Sequence, residues 1–392
     1  MANDVHADLL SLRPDYPVLA RSTYLVNNSL GAMHRRTRDR LTEYADLWDT
    51  VGVAAWSTWI PEMRRVADLV GQIIGAPPGT TVMRQSVADL IGAVASTIDW
   101  TGPRTKVVYS DLEWPSSHYL WLEHQRYGAE VVVVPNDGDG VTVAVERLVD
   151  AIDDRTAIVP ISHVLFRTST VVDIRPVVER AHQVGALVLL DAYQSAGCLP
   201  VDVVGLDVDL CVGGSVKYLC GGPGAAWMYV KPSLAETLRP AQIGWFGHAK
   251  PFDFAFGAMD YAEGPQRFAG GTPGVPAAYA AAAGYEGVLA AGIERIRERS
   301  VSLTQPLVED ALARGFAVRS PHDPAQRGGH VTIDPSPNQP DDAQQVHDEL
   351  HRRGFVVDLR PGVGIRVGPH FFNSADECTA VLDEMEKIVR SL

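Results

Sequence analysis

Long apolar runs are missing from this chain, and with them any expected membrane-spanning segment. The start, Met1 to Asp8, lacks a basic stretch followed by an apolar one, so no secretory signal is expected. An excess of basic charge is also missing. Lys and Arg number 34 against 48 Asp and Glu, which leaves a formal net charge of −14. An acidic surface disfavours non-specific contact with nucleic acid or anionic membrane. Cysteine is scarce: Cys198, Cys211, Cys220 and Cys378 form no CxxC pair. That argues against a disulfide framework and a structural zinc site, and makes a cytoplasmic location the expectation. There is no HExxH, no GxGxxG, and no GxxxxGK followed by Ser or Thr. A cofactor must therefore be held by something other than the usual nucleotide loops.

What is present is an ordinary globular composition, 392 residues with 46% hydrophobic and 21% charged. Short β-branched runs predict buried strands at Lys106–Tyr109, Glu130–Val134, Ala157–Ile161, Ala186–Leu190, Leu210–Gly213 and Ala226–Val230. Helix-period segments lie between several of them, at Trp114–Tyr127, Val143–Ile152 and Ile174–Val184, the last followed by Gly185 where a helix-ending glycine belongs. This alternation predicts an α/β fold with a mostly parallel sheet between helices. Past Pro273 the pattern changes. Pro276–Glu298 predicts one long helix, leading to a smaller α+β region. That region should hold helices Ser302–Arg314, Asp341–Arg353 and Ser374–Ser391, and strands Ala317–Ser320, His330–Ile333, Phe355–Leu359 and Gly364–Val367. Loops are expected at Arg327–Gly329 and Pro335–Pro340. The expected division is an N-terminal segment over 1–30 packing on the small domain, a large domain over 31–275, and a small domain over 276–392 that opens with a connecting helix over 276–300.

The most informative stretches are Ala186-Leu-Val-Leu-Leu-Asp191-Ala-Tyr-Gln194 and Gly213-Gly-Ser-Val-Lys217-Tyr-Leu-Cys-Gly-Gly-Pro-Gly224. Asp191 ends an apolar strand, the usual place for a functional group in an open α/β sheet. Lys217 closely follows another strand. Taken singly, Asp191 reads as a strand-end turn residue and Lys217 as a solvated surface lysine. Taken together they suggest pyridoxal 5′-phosphate. That cofactor needs a lysine for its Schiff base and an acid that keeps the ring nitrogen protonated, so that the ring acts as an electron sink.

With these motifs the sequence resembles the aminotransferase class V group of fold-type I pyridoxal-phosphate enzymes, and within it most resembles the kynureninases. From about Tyr24 to the C-terminus the matching pieces appear in the family's order: Asn28-Ser-Leu-Gly31, Ser162-His-Val-Leu-Phe-Arg-Thr168, Lys217-Tyr-Leu-Cys-Gly-Gly-Pro-Gly224, Gly244-Trp-Phe-Gly-His248, Gly270-Gly-Thr-Pro273, and Ile365-Arg-Val367 with Asn373-Ser374. The resemblance implies a large domain with a mostly parallel seven-stranded sheet and a small α+β C-terminal domain. It also implies roles. Lys217 is the Schiff-base lysine and Asp191 the partner of the ring nitrogen. Ser86 and Val87 open a helix whose free N–H groups meet the phosphate. Trp114 stacks on the pyridine ring, and Gln194 contacts its hydroxyl. Trp245 and Thr272 match phosphate contacts, with Thr272 reaching the neighbouring subunit of a homodimer. Arg366 grips the substrate carboxylate through its planar fork, and Asn28 and Ser29 approach the substrate. The remaining pocket wall is expected from loops that include Trp56–Trp59 and His248–Phe256.

The chain departs from the kynureninase pattern around the cofactor. The Tyr that precedes the lysine in kynureninases, where it helps to bind phosphate, is Val216 here. The hydroxyl often found three before the lysine in the wider class is Gly214, although Ser215 stands next to it and can compensate. Gln194 replaces a His. These changes bear on the reaction type more than on cofactor binding. No thiol follows Arg366 in Arg366-Val-Gly-Pro-His-Phe-Phe372, which ranks persulfide-forming chemistry low. The expected reaction is hydrolytic Cβ–Cγ cleavage or β-elimination on an L-amino acid. A class V transamination, a C–S lyase or an epimerase reaction is the alternative, and a non-enzymatic scaffold stands as the reading from another class.

Overall fold

The computed structural model describes residues 7–336 and 342–392. Thirteen strands run along it: β1 (Thr23–Tyr24), β2 (Thr81–Arg84), β3 (Lys106–Ser110), β4 (Glu130–Val134), β5 (Thr156–Ser162), β6 (Leu187–Asp191), β7 (Leu210–Gly214), β8 (Ala226–Val230), β9 (Ala317–Val318), β10 (Val331–Asp334), β11 (Phe355–Val356), β12 (Asp358–Arg360) and β13 (Gly364–Val367). Seven of them form one sheet in the order β2-β8-β7-β6-β5-β3-β4. Only β8 runs against its neighbours. The fold is α/β, a mostly parallel sheet with helices on both faces.

The period-2 rule sorts these strands between two cores. Val108, Val159, Ile161, Val188, Leu190 and Cys211 face one helical layer. Val107, Tyr109, Ile158, Leu189, Leu210 and Val212 face the other. Each fully buried Val, Leu or Ile contributes about 1.5–3 kcal/mol, so both faces must be covered. Because the parallel strands share one direction, their C-terminal ends share one edge. Asp191 ends β6 there, and Lys217 follows β7 there.

β9, β10, β12 and β13 form an antiparallel sheet in the order β12-β13-β10-β9. It packs with helices Ile293–Ala313, Asp342–Arg352 and Ala375–Val389 around Leu303, Val331, Ile365 and Leu382. The N-terminal segment joins this part: β1 pairs in parallel with β11, and Arg13 donates to Glu377 at 2.8 and 2.9 Å.

Several expectations are corrected. The long helix over Pro276–Glu298 is two helices, Val275–Ala291 and Ile293–Ala313, parted at Gly292 with φ +83°. That left-handed backbone, which glycine adopts without strain, turns the chain. The separate helix expected from Ser302 is the continuation of the second one, since neither Gly nor Pro falls between Glu298 and Ser302, and Pro306 further on is tolerated within it. The strand over Phe355–Leu359 splits at Val357, because β11 pairs with β1 and β12 with β13. Trp56–Trp59 opens the helix Trp56–Ile73 instead of lining a pocket loop, and Trp59 is buried against Tyr279 and Tyr44. Helix Thr37–Val51 and strand β2 belong to no element expected from the sequence. Of the loop expected over Pro335–Pro340, residues 337–340 lie outside the described residues, as does Asp341. No helix among the described residues is long and apolar enough to cross a membrane.

Candidate active site

Two cavities meet at the C-terminal edge of the large sheet, sharing Trp114, Asp191, Tyr193 and Val216 in their walls. The first, about 270 Å³, reaches from Asp191 to the N-terminus of helix Val87–Ala95. Ser86 caps that helix, its hydroxyl accepting the Asp89 N–H at 3.2 Å, and Ser86, Val87 and Ala88 at the helix start line the cavity. The second, about 220 Å³, extends toward Ser29, Phe166, Lys217 and Arg360.

Lys217 places its ammonium 4.3 Å from the centre of the Tyr193 ring and 5.7 Å from that of Trp114. Burial pulls its pKa down to about 7, with Arg366 and Arg360 adding to the effect and Asp191 opposing it. Burial pushes the Asp191 carboxyl up, against the bond it accepts from the Tyr193 N–H at 2.8 Å and the charge of Lys217. A lysine with that pKa carries a substantial neutral, nucleophilic fraction near neutrality.

Gln194 is buried, donates to the Asn28 carbonyl at 3.2 Å, and leaves its own side-chain oxygen without a partner among the described residues. A buried orphan acceptor in the wall of a cavity fits a ligand hydroxyl. Asn28 itself is fully buried against Gly368, and only its neighbour Ser29 lines the cavity.

Arg366 is 1% exposed and does not line the cavity. Its Nε and Nη2 hold Asp358 at 3.3 and 2.7 Å, and its Nη1 donates to the Phe166 carbonyl at 2.6 Å. Arg360, which does line the cavity, pairs with the same carboxylate at 2.8 Å. Ser215 lines the first cavity, but its hydroxyl is engaged by the Ala225 carbonyl and the Tyr285 phenol. Trp245 and Thr272 bond to each other at 3.2 Å and stand apart from both cavities within the single chain. They sit beside the exposed rings of Phe252 and Phe254.

The sequence reading did not single out Glu113, Tyr193 or the Asp358–Arg360 pair. Glu113 accepts the Ser162 N–H at 3.1 Å and the Ser162 hydroxyl at 2.5 Å. Burial pushes its carboxyl up to about 7, against those bonds. It thereby ties the turn that carries Trp114 to the end of β5, where Ser162 pairs with Asp191 in register. An acid before an aromatic carries no spacing signal. Asp358-Leu-Arg360 does carry one, since alternate residues of a strand share a face.

The neutral-leaning lysine, the buried acid at a strand end, the free helix N-terminus and the orphan acceptor fit one group, and together with the sheet order they define a fold-type I pyridoxal-phosphate enzyme. The chain belongs to the aminotransferase class V family, whose model matches residues 41–371. Its cofactor is pyridoxal 5′-phosphate. It is 31% identical to an uncharacterized aminotransferase, YcbU, of Bacillus subtilis, over 94% of this chain and 95% of that protein. It is 28% identical to the kynureninase of Bacillus anthracis, over 99% and 93%. A cysteine desulfurase from Thermococcus onnurineus NA1 shares the fold with a TM-score of 0.85 at 21% identity, over 97% and 98%.

Proposed function

We propose that the protein is a kynureninase-like lyase or hydrolase that cleaves an L-amino acid at its β-carbon. The observation that carries this reading is the cavity beside Lys217, walled by the aromatic Trp114 and Phe166 and, among the described residues, free of cysteine. All four thiols are buried, so persulfide formation on an enzyme cysteine finds no support. The near-full-length similarity to kynureninases supports the reading further.

Bound pyridoxal 5′-phosphate supplies the electron sink for bond cleavage at the substrate's α-carbon. The chain's own residues do the rest. Asp191 is the acid for the ring nitrogen, Trp114 covers the ring, and Gln194 presents its free oxygen to the ring hydroxyl. Ser86 and Val87 offer the helix N–H groups to the phosphate. Lys217 takes and returns the proton at the α-carbon. Arg366, held by Asp358 just behind the cavity wall, is assigned to the substrate carboxylate, with Ser29 in the wall and Asn28 buried behind it. The active unit is a homodimer in which Thr272, bonded to Trp245, serves the partner's phosphate site. The exposed Phe252 and Phe254, 46% and 73% accessible, support a covered face there. The protein works in the cytoplasm, in keeping with its four unpaired cysteines.

A spectral screen with kynurenine, 3-hydroxykynurenine and cysteine-type amino acids tests this, followed by product analysis. Alanine or pyruvate release is expected. Transfer of the amino group to an oxo acid with neither product would establish the second reading, class V transamination, which the similarity to YcbU favours. A protein that stays colourless with added cofactor would instead support the scaffold reading.

A further inference from the structure

The cavity that runs to the helix N-terminus lacks, on the side of the segment before the lysine, a free donor for a phosphate. Val216 and Gly214 supply no hydroxyl. Ser215 is 1% exposed, and its hydroxyl is already engaged on both sides. Among the described residues no Lys or Arg lines this cavity. Within one chain, a dianionic group placed there would meet the first turn of helix Val87–Ala95 and the small hydroxyls of Ser86, Ser116 and Ser117, with no side-chain donor from the strand that leads to the lysine.

Tyr193 stands in that gap. Its N–H donates to Asp191, which anchors the residue at the end of β6. From there its ring crosses to β7 and lies over Gly214: a Cβ built on Gly214 would stand 2.3 Å from both Cζ and Oη of Tyr193. The backbone at Gly214 is not left-handed, so glycine is required there for space and not for conformation. The phenol thus occupies the place of a side chain three before the lysine, delivered from the neighbouring strand. Its oxygen has no hydrogen-bond partner among the described residues. Burial and the charge of Asp191 push its pKa up to about 12, so it remains a donor.

We propose that Tyr193 is a cofactor-anchoring residue whose phenol donates to the phosphate of pyridoxal 5′-phosphate from the space that Gly214 leaves open. It does the work that the resemblance gives to a tyrosine directly before the lysine. The proposal rests on the assignment of that cofactor to the Lys217 cavity.

The test is equilibrium titration of the cofactor-free protein with pyridoxal 5′-phosphate and, separately, with pyridoxal, which lacks the phosphate. Tyr193→Phe keeps the ring and removes only the donor. It should bind pyridoxal 5′-phosphate about ten-fold or more weakly, the loss expected for a hydrogen bond to a charged group, while pyridoxal binding stays within about two-fold. The double variant Tyr193→Ala with Gly214→Ser clears the ring and returns a hydroxyl at position 214, so it should recover most of the loss. Unchanged pyridoxal 5′-phosphate affinity in Tyr193→Phe overturns the proposal. So does an equal loss for both aldehydes, which would place the phenol on Lys217, and so does a double variant of normal melting temperature that recovers nothing. Failure of the unsubstituted protein to bind pyridoxal 5′-phosphate would sink the cofactor assignment itself.

Discussion

The two ends of the Lys217 cavity handle charge in opposite ways. At the cofactor end polar groups are left short of partners: the Gln194 oxygen, the Tyr193 phenol, the first turn of helix Val87–Ala95 and a lysine drawn toward neutrality. At the carboxylate end the charges are already tied together, with Asp358 held by both Arg366 and Arg360, although Arg360 Nε and the Asn28 side-chain amide stay without partners among the described residues. Unpaired buried groups cost stability and mark a site that waits for a ligand. Paired ones hold their own geometry. The pairing is not balanced, however, since two guanidiniums face one carboxylate, and under the proposed function a substrate carboxylate would make up the difference.

The largest expected effect lies at the cofactor end. Lys217→Ala should abolish the visible absorption of the reconstituted protein and its loss on borohydride treatment; a persisting band would reject the lysine. The same variant should unfold at the same urea concentration as the parent or a higher one, because it removes an amine that burial disfavours. Asp358→Ala should behave in the opposite way. It strands two guanidiniums, and breaking a buried pair costs about 3–5 kcal/mol, readable as a lower urea midpoint. A cost below about 1 kcal/mol, typical of an exposed pair, would erase the contrast between the two ends.

A milder test separates the two arginines. Arg366→Lys keeps the charge and loses the fork, so KM should rise about ten- to hundred-fold with kcat changed far less. Arg360→Lys should move KM by a smaller factor. The reverse order would make Arg360, the arginine that lines the cavity, the one that grips the substrate.

The same division explains what could be read from sequence. The cofactor end is written in short contiguous runs. Asp191 closes an apolar strand, Ser86 caps a helix and Lys217 precedes a Gly/Pro turn, so period and punctuation locate each of them. The parallel direction of β7, β6, β5, β3 and β4 follows from the same strand–helix alternation, while their order in the sheet does not. The carboxylate end depends on residues far apart in the chain: Arg366 reaches the carbonyl of Phe166, and the N-terminal strand pairs with β11. No local pattern encodes such contacts. Tyr193 escaped notice for a different reason. Its phenol matters only because Gly214, on another strand, has no side chain. The break at Gly292 was legible in principle, but the alanine-rich run around it outweighed a single glycine.

The smallest effect is a displacement on the pH axis, and it distinguishes the two ends by sign. Only a neutral amine attacks an aldehyde, so the rate at which the visible band forms in cofactor-free protein should rise with pH up to about 7 and then level off. Arg360 lowers the lysine's pKa, so Arg360→Gln should move the plateau upward. Asp191 raises it, so Asp191→Asn should move the plateau downward. Stability follows by linkage. Between about 7 and the ordinary lysine value of 10.5 the unfolded chain binds a proton that the folded chain has released, so this lysine makes the cofactor-free protein more stable as pH rises across that interval. Lys217→Ala should flatten that slope. Stopped-flow absorbance and urea midpoints across the same buffers measure both quantities. A loading rate that climbs without a plateau toward the ordinary lysine value would mean that the amine is solvated, and the cofactor end would then have no partnerless charge to set against the paired end.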